Sequence, residues 1–92
     1  MKYENIRHML RTIFVTDFSL PEDAAINIYV SGLKVSGKEE IMKHELSEAF
    51  GDGSISWRAM LNNDEYEVLD FETEEEARAY VKRILWDPLE SL

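Results

Sequence analysis

The chain of 92 residues has no cysteine, only two prolines and four glycines, and no long apolar run. The absence of cysteine excludes a disulfide framework, a thiol nucleophile and a thiolate metal site. No run approaches the ~20 apolar residues that a membrane span needs. The N-terminus lacks the apolar segment and cleavage site of a secretory signal. The length predicts one domain over residues 1–92, and these absences favour a cytoplasmic location.

Basic residues are scarce as well. Ten lysines and arginines face nineteen aspartates and glutamates, which gives a net charge of −9. The imbalance is concentrated in residues 64–76, which hold eight carboxylates and no basic residue. Such a surface repels phosphate backbones and attracts basic partners. The simplest interpretation of these carboxylates is a solvated acidic face that keeps a small protein in solution. The alternative is that they form a docking surface for a basic partner.

Three stretches in which apolar and polar residues alternate predict β-strands, because successive side chains of a strand point to opposite faces. They cover residues 26–31, 54–61 and 64–71. The Asn-Asn-Asp-Glu sequence between the last two predicts a hairpin. Residues 12–18 are also rich in β-branched and aromatic side chains, so residues 1–20 are compatible with a helix alone or with a helix followed by a strand.

Apolar residues at helical spacing predict three helices. The first covers about residues 3–11, the second runs from Ser36 to about residue 50, and the third starts at Thr73. Ser36 and Thr73 are each followed three residues later by a glutamate, which is the pattern of a capping box. Pro88 is expected to end the third helix, because a proline disfavours helical geometry in the residue before it.

This order of elements predicts an α+β fold in two layers. An antiparallel sheet of three to four strands would carry the helices on one face, with the N-terminal helix in addition. The βαββα core would span residues 26–85. The sheet face that carries Tyr29 and Tyr66 would be open to solvent unless the first helix covers it.

Three motifs point to a known fold. Residues 28–33 read Ile-Tyr-Val-Ser-Gly-Leu, residues 50–51 read Phe-Gly, and residues 70–77 read Asp-Phe-Glu-Thr-Glu-Glu-Glu-Ala. They resemble the shorter ribonucleoprotein motif, the end of the first helix and the last strand-to-helix junction of the RNA-recognition-motif family. The resemblance implies a ferredoxin-like fold. Residues 64–68 put acidic and aliphatic side chains where that family has basic and aromatic ones, so the chain resembles a divergent member.

The first functional hypothesis is a small, acidic, non-catalytic module that binds a protein. The partner would be basic, or the module would self-associate as a homodimer through its sheet face. Tyr29, Tyr66 and Val68 would form the apolar centre of this contact, and Arg58 and Asp70 would lie at its rim.

Two alternatives use other properties of the same chain. In one, Tyr29 and Tyr66 stack on the bases of single-stranded RNA or DNA, as the family resemblance implies, against the repulsion of the negative charge. In the other, the protein mimics nucleic acid and inhibits a nucleic-acid-binding protein. The function would then depend on the acidic side chains themselves, which are Asp64, Glu65, Glu72, Glu74, Glu75 and Glu76.

The sequence predicts no catalytic residue, cofactor or metal site. His44 and Glu48 lie one helical turn apart, but two ligands without a third are a weak metal signal. Residues 32–38 spell most of a phosphate-binding loop, yet Glu39 stands where the magnesium-binding hydroxyl residue belongs. A solvent-facing histidine and an ordinary strand-to-helix turn are the simpler interpretations, and we do not expect an enzyme.

Overall fold

The computed structural model describes residues 3–14 and 21–90, and within these ranges it contains helices but no β-strand. The predicted α+β sandwich with a ferredoxin-like, RNA-recognition-motif-like sheet is therefore wrong, and the protein is a small helical one. In chain order the elements are α1 (Glu4–Thr12), α2 (Glu22–Ser36), α3 (Glu39–Phe50), α4 (Trp57–Leu61), α5 (Glu74–Val81), a π-helical stretch (Lys82–Trp86) and α6 (Asp87–Glu90).

The helices pack around one apolar core. Helix α1 packs against α3, α4 packs against α5, and α2 packs against the π-helical stretch and α6. Every helix except α6 contributes at least two buried side chains, so no element stands apart from the core. The largest side chains that are almost completely buried are Ile6, Leu10, Tyr29, Leu33, Met42, Leu46, Leu61, Val81, Ile84, Leu85 and Leu89.

Residues 26–31, predicted as the first strand, lie inside α2. Local signals favour the helix: Pro21 precedes it, two acidic residues occupy its first turn, and Gly37 follows its last residue with φ 71°. Ala25 and Tyr29 are buried one helical turn apart. Ile28, which the alternation placed in the core, is 48% exposed.

Residues 54–61, predicted as the second strand, contain helix α4 instead. The Ser56 hydroxyl caps this helix by accepting the backbone N–H of Ala59 at 3.1 Å. Trp57, Met60 and Leu61 are buried, and their spacing of three and four residues is that of one helical face rather than of a strand.

Residues 64–71, predicted as the third strand, are irregular. The expected reversal of the chain does occur, since one antiparallel bridge joins Asn62 to Glu67 and the Val68 N–H donates to the Leu61 carbonyl at 2.7 Å. A single bridge gives no sheet. The chain therefore turns where the hairpin was predicted but has no strands on either side.

Helix α1 lies where the first helix was predicted, and the Thr73 cap is confirmed: its hydroxyl accepts the Glu76 N–H at 3.2 Å. Ser36 is not a cap, because it is the last residue of α2 and its hydroxyl donates to the Gly32 carbonyl. Pro88 does not end the helical region but lies within an unbroken helical run over residues 74–90, directly after the π-helical stretch. The possible strand over residues 12–18 falls mostly on residues 15–20, outside the described ranges.

Two glutamates act as N-terminal caps for helices other than their own. Tyr3, which precedes α1 with φ 62°, provides no side-chain cap. Glu45 of α3 replaces it by accepting the Ile6 N–H at 2.6 Å. In the same way Glu74 of α5 accepts the Trp57 N–H of α4 at 2.7 Å. Each carboxylate satisfies a backbone donor that a helix start leaves unpaired and lies at the positive end of the helix dipole.

We expect Glu45→Ala to lower the free energy of unfolding by about 1 kcal/mol, the usual contribution of an N-terminal cap. The matched control is Glu48→Ala in the same helix, because Glu48 pairs only with the exposed side chain of His44 among the described residues. Its effect should stay within about 0.5 kcal/mol. Urea denaturation followed by circular dichroism measures both, and equal losses would show that Glu45 is not a cap.

Candidate functional site

The three residues predicted to form the apolar centre of a contact surface are buried. Tyr29, Tyr66 and Val68 are 0%, 7% and 2% exposed. Tyr29 lies in the core, where its hydroxyl donates to the Leu85 carbonyl at 2.8 Å and its ring meets Phe14 edge-on at 6.1 Å. The predicted placement of the contact surface is therefore wrong. Neither tyrosine ring is available as a stacking platform for bases.

The two predicted rim residues are at the surface and face each other. The Arg58 guanidinium lies 4.0 Å from the Asp70 carboxylate, and both side chains are exposed. An exposed pair at this distance contributes little to stability. The structure thus separates the predicted site into a buried apolar part and an exposed charged part.

The pKa values of several tyrosines are raised by their surroundings. Burial raises the pKa of Tyr29 and, less strongly, of Tyr66, where the neighbouring Asn63 and Arg7 side chains lower it. The Cζ atom of Arg7 lies 5.9 Å from the centre of the Tyr66 ring. The Tyr3 hydroxyl donates to Asp52 at 2.7 Å, and this hydrogen bond raises the pKa of Tyr3 to about 12.

The acidic segment, defined as residues 64–76, is exposed at each of its eight carboxylates. Some of them have structural contacts: Glu65 lies 3.6 Å from Arg7 and 3.7 Å from Arg11, and Glu74 caps α4. Within the described ranges, Asp64, Glu72 and Glu75 form no hydrogen bond or ion pair. The segment therefore presents negative charge that the rest of the described protein does not neutralise.

A shallow groove of about 480 Å³ adjoins the acidic segment. Its apolar surface comes from the end of the segment and from α5, and its charged edge from α2, α5 and the π-helical stretch. Leu69, which is 43% exposed, lies beside Phe71, whose ring centre is 5.4 Å from that of Tyr80. The residues that line the groove are Glu22, Leu69, Phe71, Glu76, Ala79, Tyr80 and Arg83.

One edge of the groove is held by an ion pair between two distant parts of the chain. The Arg83 guanidinium donates to both carboxylate oxygens of Glu22, with Nη2 to Oε1 at 3.0 Å. The Cζ atom of Arg83 also lies 5.3 Å from the centre of the Tyr80 ring. Hydrogen bonding to Glu22 raises the pKa of Arg83, and burial raises that of Tyr80. The pair links α2 to the π-helical stretch at the surface, with Arg83 beside the Tyr80 ring.

The other candidate chemistries find no support in the described ranges. His44 Nε2 lies 2.5 Å from Glu48 Oε1 on the exposed face of α3. Within residues 3–14 and 21–90 no three His, Cys, Asp or Glu side chains come close enough together to hold a metal ion. The predicted strand-to-helix turn at residues 32–38 lies mostly inside α2, and only Gly37 and Lys38 connect α2 to α3.

Comparisons with family models, with curated proteins and with solved structures find no match for this chain. The resemblance to the RNA-recognition-motif family therefore depends on the sequence motifs alone. None of the helices over the described residues is long and apolar enough to cross a membrane.

The alternating sequence pattern did not predict the groove, because it places the apolar side chains of residues 66–71 on the opposite faces from those observed. Alternation placed Leu69 and Phe71 in the core and Tyr66 and Val68 outside, whereas Tyr66 and Val68 are buried and Leu69 is exposed. No local signal was available. A hydrophobic residue often packs against the first turns of a capped helix from the position immediately before the cap, and Glu72 occupies that position here.

Proposed function

We propose that this protein is a small, non-catalytic module that binds a basic protein through the groove and the acidic segment beside it. The observation that carries the proposal is the position of exposed Leu69 and half-buried Phe71 within a run of exposed carboxylates. Such a surface fits a segment in which an apolar side chain is flanked by lysines or arginines.

The acidic segment would speed and orient the approach of the partner. Charged surfaces of opposite sign steer encounter and determine register more than they add affinity. The carboxylates of Asp64, Glu72 and Glu75 are available for this because they have no ion pair within the described residues. Binding should accordingly weaken as salt rises.

The groove would supply the affinity. Aromatic side chains in a fixed position are the usual anchors of protein interfaces, because they bury a large area and lose little conformational freedom. Tyr80 is held between Phe71 and Arg83 before any partner arrives. The groove volume of about 480 Å³ is sufficient for one large apolar side chain.

A titration with short synthetic peptides, followed by the amide signals of the protein, tests the proposal. The probe has one phenylalanine flanked by lysines and arginines, and two controls replace the phenylalanine by glycine or the basic residues by glutamate. We expect signal shifts around Leu69, Phe71 and Tyr80 with the probe only. Leu69→Glu should weaken its binding at least about tenfold, since an apolar contact of this size is lost.

The matched control variant is Ile28→Glu, which adds the same charge at an exposed apolar residue outside the groove. It should bind the probe as the parent chain does. Equal binding of the phenylalanine and glycine peptides, unaffected by Leu69→Glu, would favour the nucleic-acid-mimic hypothesis, in which carboxylates suffice. Absence of any shift with all basic peptides would refute the proposal.

A further inference from the structure

We propose that the groove takes a second copy of this chain, through a basic corner formed by Lys34, Val35 and Lys38. This inference rests on the proposed function, because it names a partner for the same groove. Val35 is 91% exposed, the largest value among the exposed large apolar side chains of the described residues. Lys34 directly precedes it, and Lys38 follows three residues later, just before Glu39 and Glu40. The corner therefore combines an exposed apolar side chain with two lysines, which is the chemistry proposed for a partner of the groove.

The backbone of the basic corner is held by hydrogen bonds. Gly37 ends α2 in the left-handed conformation, its N–H donates to the Leu33 carbonyl, and the Lys38 N–H donates to the same carbonyl at 3.1 Å. This pair of hydrogen bonds closes the helix end in a defined turn. A docking element that is already in its bound conformation avoids the entropy cost of ordering on association.

The charges of the corner are available for contact. Neither the Lys34 nor the Lys38 ammonium forms an ion pair with a carboxylate of the described residues. In a docked pair they would face Glu72, Glu75 and Glu76 of the neighbouring copy, while Val35 would lie against Leu69 and Phe71. Both parts of the interface are then complementary, positive against negative and apolar against apolar.

The corner cannot occupy the groove of its own chain. Glu22, which lines the groove, stands at the first residue of α2, and Val35 stands one residue before its end. Thirteen residues of helix separate them, or about 20 Å at 1.5 Å per residue. The contact must therefore be made between copies, with the corner of one copy in the groove of another. Two copies can make it reciprocally in a closed twofold dimer, or copies can add head-to-tail into chains or rings.

Self-association would also cover the groove. A basic partner and a second copy would compete for the same apolar residues, so the fraction of free grooves would fall as the concentration of the protein rises. The net charge of −9 opposes the association of copies at low salt. We therefore expect the strongest self-association at intermediate salt. There the Debye length is about 8–10 Å, so the repulsion between distant charges of two copies is screened while the buried apolar contact remains.

Sedimentation velocity of the full chain tests the inference, with two variants that each remove one side of the contact. Val35→Glu destroys the corner and keeps the groove, whereas Leu69→Glu destroys the groove and keeps the corner. Because both introduced residues are glutamates, they repel and create no new pair. The parent chain should form dimers or larger species at concentrations up to about 1 mM, where weak interactions become visible.

Each variant alone should be monomeric, with association at least about tenfold weaker. An equimolar mixture should form a heterodimer and nothing larger, because only one intact interface remains. Ile28→Glu adds the same charge elsewhere and should associate as the parent chain does. A parent chain that is monomeric throughout, a mixture that fails to pair, or an equal effect of Ile28→Glu would each overturn the inference.

The outcome is separable from that of the proposed function. If the chain stays monomeric while the basic phenylalanine peptide binds, the groove is a protein-binding site whose partner is not a second copy. If neither the peptide nor a second copy binds, both proposals are wrong. Peptide binding that weakens as protein concentration rises would support the two together.

Discussion

Replacement of Tyr29 by alanine is expected to lower the free energy of unfolding by about 3–5 kcal/mol, the range for deleting a large buried side chain. Tyr29 is inaccessible to solvent and packs between Phe14 and the π-helical stretch. Because small domains are stable by only about 5–15 kcal/mol in total, this single change removes a large share of the stability. Urea denaturation followed by circular dichroism measures the loss.

A second variant separates the ring of Tyr29 from its hydroxyl. Tyr29→Phe keeps the packing but leaves the Leu85 carbonyl without the hydroxyl that donates to it. The expected cost is about 1–2 kcal/mol, since a buried acceptor is left unpaired. Val35→Ala serves as the surface control and should stay within about 0.5 kcal/mol. If Tyr29→Ala were as harmless as this control, Tyr29 would be a surface residue, as the predicted open sheet face required.

Replacement of Ile28 by proline is expected to cost about 3 kcal/mol or more, because Ile28 lies in the middle of α2. Proline removes a helical hydrogen bond there, and its ring clashes with the carbonyl one turn earlier. The side chain itself contributes little to the loss because it is half exposed. The same denaturation experiment measures the effect.

Ile28→Ala is the matched control and distinguishes a helix from a strand. In a helix, alanine at an exposed position is neutral or stabilises by a few tenths of a kcal/mol, because its helix propensity is higher than that of isoleucine. In the predicted sheet Ile28 would face the core, and its truncation would cost about 2–5 kcal/mol. A loss of that size would contradict the helical assignment of α2.

Helix positions and caps that depend on residues a few positions apart could mostly be predicted from the sequence. The position of α1, the end of α3 near residue 50 and the cap at Thr73 all follow from apolar spacing and from hydroxyl caps. The three strands were wrong for a physical reason. A short run rich in apolar residues can contain a helical face as well as an alternating one, and in α2 the buried residues Ala25, Tyr29 and Leu33 are spaced by four. Intrinsic propensities differ by only a few tenths of a kcal/mol per residue. Tertiary burial easily overrides them.

The candidate site likewise has one part that the sequence predicted and one that it did not. The acidic segment was predicted from composition, and its carboxylates are exposed. The groove was not predicted, because it combines Glu22 of α2 with Tyr80 and Arg83, which lie about sixty residues further along the chain. No local pattern can bring such residues together. The roles of Glu45 and Glu74 as caps of other helices were hidden for the same reason.

The sequence by itself determined the charge of this protein, the exclusion of thiol chemistry, and the helix signals that reside in single turns. These properties depend on composition or on contacts between residues a few positions apart. Only the tertiary structure decided that α2 is a helix, that Tyr29 and Tyr66 are buried, and that Leu69 and Tyr80 share a groove. Each of these depends on which apolar faces bury one another, a free-energy difference summed over contacts that are distant in the chain.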